Sequence, residues 1–220
     1  VYKRQVLGTQ ENLKNPSITN IKNYYKQWYV PNNMAICMSG DLDPDATIAL
    51  IDKYFGGLKP NPELPKLDLP KEAPITQPVE KEVLGPDAES VALAWRFPGV
   101  SDKDFEILQV VSQVLYNGKA GLIDLDLNQQ QKVLNSYGYP MGLADYSALL
   151  LGGLPKQGQT LEEVKDLLLS EIKKLRAGEF DEKMLEANIN NFKLGELQNM
   201  ESNEGRADMS VSYTHLRAHE

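Results

Sequence analysis

The only two histidines of the chain sit at its end, His215 and His219, with Glu220 beside them. Spaced i, i+4, they would share one face of a helix, where two imidazoles and a carboxylate make a set suited to zinc. The order is H-x-x-x-H-E, which matches neither H-E-x-x-H nor H-x-x-E-H. The flanking residues point elsewhere. Residues 211–215 (VSYTH) back-translate as GTC TCT TAT ACA CAT, and residues 1–5 (VYKRQ) as GTG TAT AAG AGA CAG. These resemble the two orientations of a transposase adapter used in making sequencing libraries. Residues 1–5 and 211–220 are therefore expected to be adapter-like and non-native, with residues 6–210 natural. That natural part holds no histidine, so neither a Ser-His nor a Cys-His nucleophile pair forms within it.

The other chemistry-bearing groups have plainer readings. Asp41, Asp43 and Asp45 alternate, with Asp52 at position twelve, as in a calcium loop. Pro44 inside the loop and Ala46 in place of the turn glycine oppose that reading, and carboxylates before a helix serve as caps. The lone cysteine, Cys37, lies in an apolar run and is expected to be a buried, inert thiol. It excludes an intrachain disulfide and every multi-cysteine metal motif. Tyr24, Tyr25, Trp28 and Tyr29 could line a ligand surface; aromatic core packing explains them with less. Glu162, Glu163, Lys165 and Asp166 read as a solvated helix face. No Walker A loop, G-x-G-x-x-G or G-x-S-x-G is present.

The 220 residues are 41% apolar and 25% charged, enough apolar material for a core. The net charge is −8 and the isoelectric point about 4.9. Setting aside the ends removes Lys3, Arg4 and Arg217 against Glu220 alone, so the remainder is more acidic still. Acidic balance argues against a nucleic-acid partner and against docking on anionic membranes. No apolar run is long enough for membrane insertion.

The elements that must position these residues follow from periodicity. After Pro16-Ser17, residues Ile18, Ile21, Tyr25 and Trp28 mark a helix capped by Ser17. Residues 34–38 (MAICM) read as a buried strand, and Asp43-Pro44 opens a helix with Ile48, Ile51, Tyr54, Phe55 and Leu58 on its apolar side. Six of the thirteen prolines fall in 60–78, an extended connector. Beyond it, Val83-Leu84 and Val91–Phe97 read as strands around a turn. A deeply buried helix starts at Asp102, and another is expected over Leu122–Val133. One or two strands are expected over Tyr137–Leu154. Thr160 and Glu163 form a capping box for a helix that Gly178 ends, and Asp181 caps another.

One ordered pattern carries more. Gly8-Thr9-Gln10-Glu11-Asn12-Leu13 precedes the first helix; Tyr29-Val30-Pro31-Asn32-Asn33-Met34 ends it. Then come Gly40-Asp41 and Tyr54-Phe55-Gly56. The order and spacing resemble the pitrilysin/insulinase family of zinc metallopeptidases, which includes the mitochondrial processing peptidases. The resemblance implies an α+β fold of two related mixed helix/antiparallel-sheet domains of the LuxS-like metalloenzyme type, the first truncated. Residues 6–59 would be the C-terminal part of the catalytic-type domain, 60–78 the linker, and 79–210 most of the second, non-metal domain, itself truncated. It implies a longer zinc endopeptidase that cuts peptides in a clamshell chamber, with zinc held by H-x-x-E-H and a later glutamate. All three ligands would lie before Val6. No catalytic, cofactor-binding or metal residue is therefore assigned to this chain, Glu11 included, and the chain by itself is expected to be inactive and free of zinc. The implied partners are peptide substrates and the missing first-domain and second-half regions, or a partner subunit. A non-catalytic structural or partner subunit of the same family is the alternative. Bacterial relatives are often periplasmic. The strand at 34–38 is expected to lack neighbours, leaving the isolated chain marginally stable or self-associating.

Overall fold

The computed structural model describes residues 10–66 and 70–216, with side chains as far as residue 212. The chain divides into two compact units, Val1–Glu72 and Ala73–Glu220.

The first unit is built from helices that local signals dictate. Following α1 (Gln10–Lys14), α2 spans Ile18–Trp28, and the Ser17 hydroxyl accepts from the Asn20 amide at 3.3 Å. A 3₁₀ turn at Pro31–Asn33 ends that stretch, and Asn33 Nδ2 donates to the Trp28 carbonyl at 2.9 Å. Helix α3 spans Pro44–Phe55, with Pro44 at its first position and Asp43 Oδ1 accepting from the Ala46 amide at 2.9 Å. Asn32 and Asn61 exchange two hydrogen bonds of 2.8 and 2.9 Å, and Asn61 Nδ2 donates to the Gln27 carbonyl. These fold the start of the proline-rich stretch back onto the end of α2.

Burial in this unit differs from expectation. Val30 is its one buried apolar side chain among the described residues. Residues 34–38 are not a buried strand: no ladder involves them, and Met34, Ile36 and Met38 are exposed. An apolar run becomes a strand only when a neighbour takes its backbone donors and acceptors, and no described strand lies beside it. Cys37 is accordingly half-buried rather than buried. The tyrosines are not core either. Tyr24, Tyr25 and Tyr29 are exposed, and they pack along the helix, Tyr25 stacked on Tyr29 at 4.7 Å and Tyr24 tilted against Trp28 at 6.1 Å.

The second unit has a core. Three strands, β1 (Val91–Pro98), β2 (Asn135–Gly142) and β3 (Tyr146–Leu154), form an antiparallel sheet in the order β1-β3-β2. Leu149 and Leu151 face the helices, paired across the ladder with Trp95 and Leu93. Helix α4 (Lys103–Leu115) brings Leu108, Val114 and Leu115 to that core, and α5 (Leu161–Ala177) brings Val164 and Leu168. Gly153 lets α5 approach: a Cβ there would sit 2.5 Å from Val164. On the other sheet face the Tyr137 ring lies over Gly152. Thr160 and Glu163 make the expected capping box, and Gly178 closes α5 at φ +72°. Helices α6 (Lys183–Glu201) and α7 (Asn203–Leu216) complete the unit, the Asp181 carboxylate accepting from the Lys183 amide. Val83 and Leu84 form no strand and are almost fully exposed. Leu122–Val133 is not one α-helix: it contains a π-helical turn at Asp124–Asn128. No described helix is long and apolar enough to cross a membrane.

Candidate functional site

The densest arrangement of polar chemistry surrounds that π turn. Its three polar residues, Asp124, Asp126 and Asn128, each hold a different element. The buried Asp124 carboxylate accepts from the Asn117 and Gly121 amides, both at 3.0 Å, and so closes the loop that follows α4. Asn128 makes three hydrogen bonds of 2.8 Å to Ser136 at the start of β2. Asp126 pairs with Lys174 of α5 at 2.5 Å.

Lys174 is shared. Its ammonium also donates to both oxygens of Glu171, at 2.9 and 3.1 Å, and the Ser170 hydroxyl donates to Glu171 Oε1 at 3.2 Å. The Glu171 side chain is 1% exposed, so its charge has no water to fall back on. Burial pushes the Glu171 carboxyl above its ordinary range, opposed by the Lys174 ammonium. The hydrogen bond from Lys174 draws Asp126 below its ordinary value, and the same bond, with Glu171, raises Lys174. Lys174 thus lies between two carboxyl groups whose pKa values move in opposite directions, Asp126 down and Glu171 up.

This arrangement positions elements; it offers no nucleophile–base pair and no metal cage. Among the described residues no group of three His, Cys, Asp or Glu is placed to hold a metal. The donor chemistry does not fit zinc: Asp126 and Glu171 already share an ammonium, and Asp43 is engaged as a helix cap. Asp41, Asp43 and Asp45 lead into α3, with Asp45 in its first turn and Asp52 near its end. Glu11 stands in the first turn of α1. Glu162 and Lys165 pair on the exposed side of α5 at 2.5 Å. Gly8, Thr9 and residues 1–5 lie outside the described residues, as do His219 and Glu220. The α7 backbone continues as far as Leu216, so His215 falls in its last turn, with its side chain outside the description. Sequence reasoning missed Asp124, Asp126, Asn128, Glu171 and Lys174. The signal was there in outline: polar residues at every second position of 124–128 fit no amphipathic helix.

The family model described as "Peptidase M16 inactive domain" matches residues 17–192. This chain belongs to the peptidase M16 family. The pitrilysin/insulinase resemblance carried by residues 8–58 agrees with that match, and the α+β class agrees with the chain's solved neighbours. A curated relative, the zinc protease PqqE of Helicobacter pylori (strain ATCC 700392 / 26695), is 26% identical, with 94% of this chain aligned to 48% of that protein. The M16 chain therefore spans about half the length of that relative. A putative M16-like peptidase from Alicyclobacillus acidocaldarius shares the fold at a TM-score of 0.70 and 16% identity, over 97% of this chain and 52% of that one. The first half of the periplasmic protease PqqL from Escherichia coli matches at 0.56 and 19%, over 96% and 47%. A chain of complex III2 from Candida albicans, with Inz-5 bound, matches at 0.71 and 16%, over 98% and 53%.

Proposed function

We propose that this M16 chain is the non-metal part of a zinc endopeptidase that cleaves peptides within a clamshell chamber. The observation that carries the reading is a conjunction: an inactive-domain match over residues 17–192, and identity to a zinc protease of which the chain covers about half. In this reading the remaining portion supplies H-x-x-E-H and a distal glutamate, and zinc there polarises the scissile carbonyl and acidifies the attacking water. This chain contributes no catalytic, metal or cofactor residue. Residues 6–59 complete the metal-bearing domain, 60–78 link, and 79–210 form the neighbouring domain that walls the chamber. The exposed apolar sides of α2 and α3, and the unpaired run at 34–38, would be covered by the rest of that first domain.

A second reading, a metal-free partner subunit, draws support from the fold shared with a chain of complex III2, because fold does not fix chemistry.

The test begins with the coding sequence upstream of Val6, followed by co-expression of that upstream portion with this chain. The first reading expects H-x-x-E-H, one bound zinc per complex, and cleavage of a quenched peptide that chelation abolishes. An intact upstream domain without the motif and without zinc would establish the partner-subunit reading instead. Tight one-to-one zinc on this chain alone after dialysis would overturn both.

A further inference from the structure

The chain that joins the two units is gripped near both of its ends. On the first unit, one side-chain amide holds a backbone from both sides. Asn32 Nδ2 donates to the Asn61 carbonyl at 2.8 Å, and the Asn61 amide donates to Asn32 Oδ1 at 2.9 Å. A neighbouring strand would make the same pair of bonds. The Asn61 side chain is engaged as fully: Nδ2 donates to the Gln27 carbonyl at 3.2 Å, and Oδ1 accepts from the Glu63 amide at 3.0 Å. The turn that presents Asn32 is itself tied to α2 by the bond from Asn33 to the Trp28 carbonyl.

On the second unit the grip is Arg96. Trp95 and Phe97 pack toward the core, which puts Arg96 on the opposite face of β1. Its guanidinium lies 4.9 Å from the centroid of the Tyr146 ring, and Nη2 donates to the Ala73 carbonyl. Stacking on an aromatic ring holds the planar fork in place for that bond. The second unit begins at this same residue, Ala73. Beyond it, residues 74–90 make no hydrogen bond to any described residue, and every residue from 71 to 90 is exposed. The Lys165 pKa is raised first by the hydrogen bond to Glu162, with the Glu80 charge a lesser cause, and an exposed charge pair holds a chain weakly. Arg96 is thus what fastens 73–90 to its unit.

We propose that Asn32 and Arg96 are paired clamps that restrict the tether between the units to residues 62–72, out of the 56–90 stretch that separates α3 from β1. A fully extended chain covers about 3.5 Å per residue, so the clamped tether reaches about 40 Å and the unclamped one about 120 Å. A shorter tether keeps one unit at a higher effective concentration around the other. The inference stands under either reading of the activity, because it uses only the connection between the units.

The test is the width of the distance distribution between spin labels on α3 and α5 by pulsed EPR, with D52C and K173C labelled in a C37S form of the 220-residue chain. Two eight-residue Gly-Ser insertions are compared. Placed after Lys71, between the clamps, the insertion is expected to widen the distribution about 1.3-fold, as the square root of tether length. Placed after Asp87, outside the clamps, it is expected to leave the width within about 10% of the parent. R96Q extends the tether to Val91 and is expected to widen the distribution about 1.6-fold. N32A/N61A frees only residues 56–60 and is expected to give about 1.2-fold. Both insertions leave the clamps intact, so they decide the question even if R96Q fails to fold. The proposal is overturned if the insertion after Asp87 widens the distribution as much as the one after Lys71, or if neither does. It is equally overturned if a folded R96Q leaves the width unchanged.

Discussion

Helix α2 in the first unit and helix α5 in the second begin in the same way. Each has a hydroxyl residue at its N-cap, Ser17 or Thr160, taking an amide of the first turn, and each carries an apolar stripe. Their fates differ. Val164 and Leu168 on α5 are fully buried against the sheet, whereas Ile18 and Ile21 on α2 are 68% and 58% exposed. Of the twelve buried apolar side chains among the described residues, eleven belong to the second unit. Good local signals thus form a helix in either place, but only tertiary surface gives its apolar stripe something to do. The first unit presents a core-facing side without the core.

The sharpest way to break this comparison is a pair of truncations. Leu168→Ala opens a cavity beneath β3 and is expected to cost about 2–5 kcal/mol of the second unit's stability in denaturant unfolding. Ile48→Ala, on the 56% exposed side of α3, is expected to stay within about 0.5 kcal/mol. A loss at Ile48 comparable to that at Leu168 would mean that the first unit has a core of its own.

A smaller contrast lies in the caps. Thr160→Ala removes a capping box from a packed helix and is expected to cost about 1 kcal/mol. Ser17→Ala removes an equivalent cap from a helix that packs on little, and the transition of the second unit is expected not to move. Matching shifts in that transition would show that the two units unfold together.

The smallest effect is one of pH. The lowered Asp126 pKa means that its stabilising contribution is present above the ordinary carboxylate range and is lost as pH falls through the lowered value. Glu171 has the opposite sign. Its raised pKa gives a contribution that is present below the ordinary glutamate value and lost as pH rises through the raised one. Lys174, also raised, contributes until pH climbs through its own elevated value. The melting temperature of E171Q relative to the parent is therefore expected to grow as pH rises through the Glu171 titration. A flat difference would place the Glu171 charge outside the balance of the second unit.

What the sequence made legible follows the same division. Caps at Ser17, Asp43, Asp102 and Thr160 were readable because a cap is settled within three or four residues. Strand β1 was readable because its alternation meets a partner, β3, within the same chain. Residues 34–38 and Val83-Leu84 carry the same apolar signal and form no ladder, because strand formation is decided by a neighbour rather than by the run itself. The Asp126–Lys174–Glu171 cluster belongs to no motif, and its members meet only once α5 packs. Family membership was legible for yet another reason: the G-T-x-E-x-L to Y-F-G order is a pattern of spacing that needs no contact to be seen.

The difference between the two units is tested most directly by hydrogen-exchange mass spectrometry on the isolated chain. Peptides from β1, β3, α4 and α5 are expected to be strongly protected, and peptides from α2, α3 and residues 34–38 to exchange with little protection. Equal protection of α2 and α5 would contradict the account, because it would mean that the first unit finds cover for its apolar side within this chain or in a second copy of it.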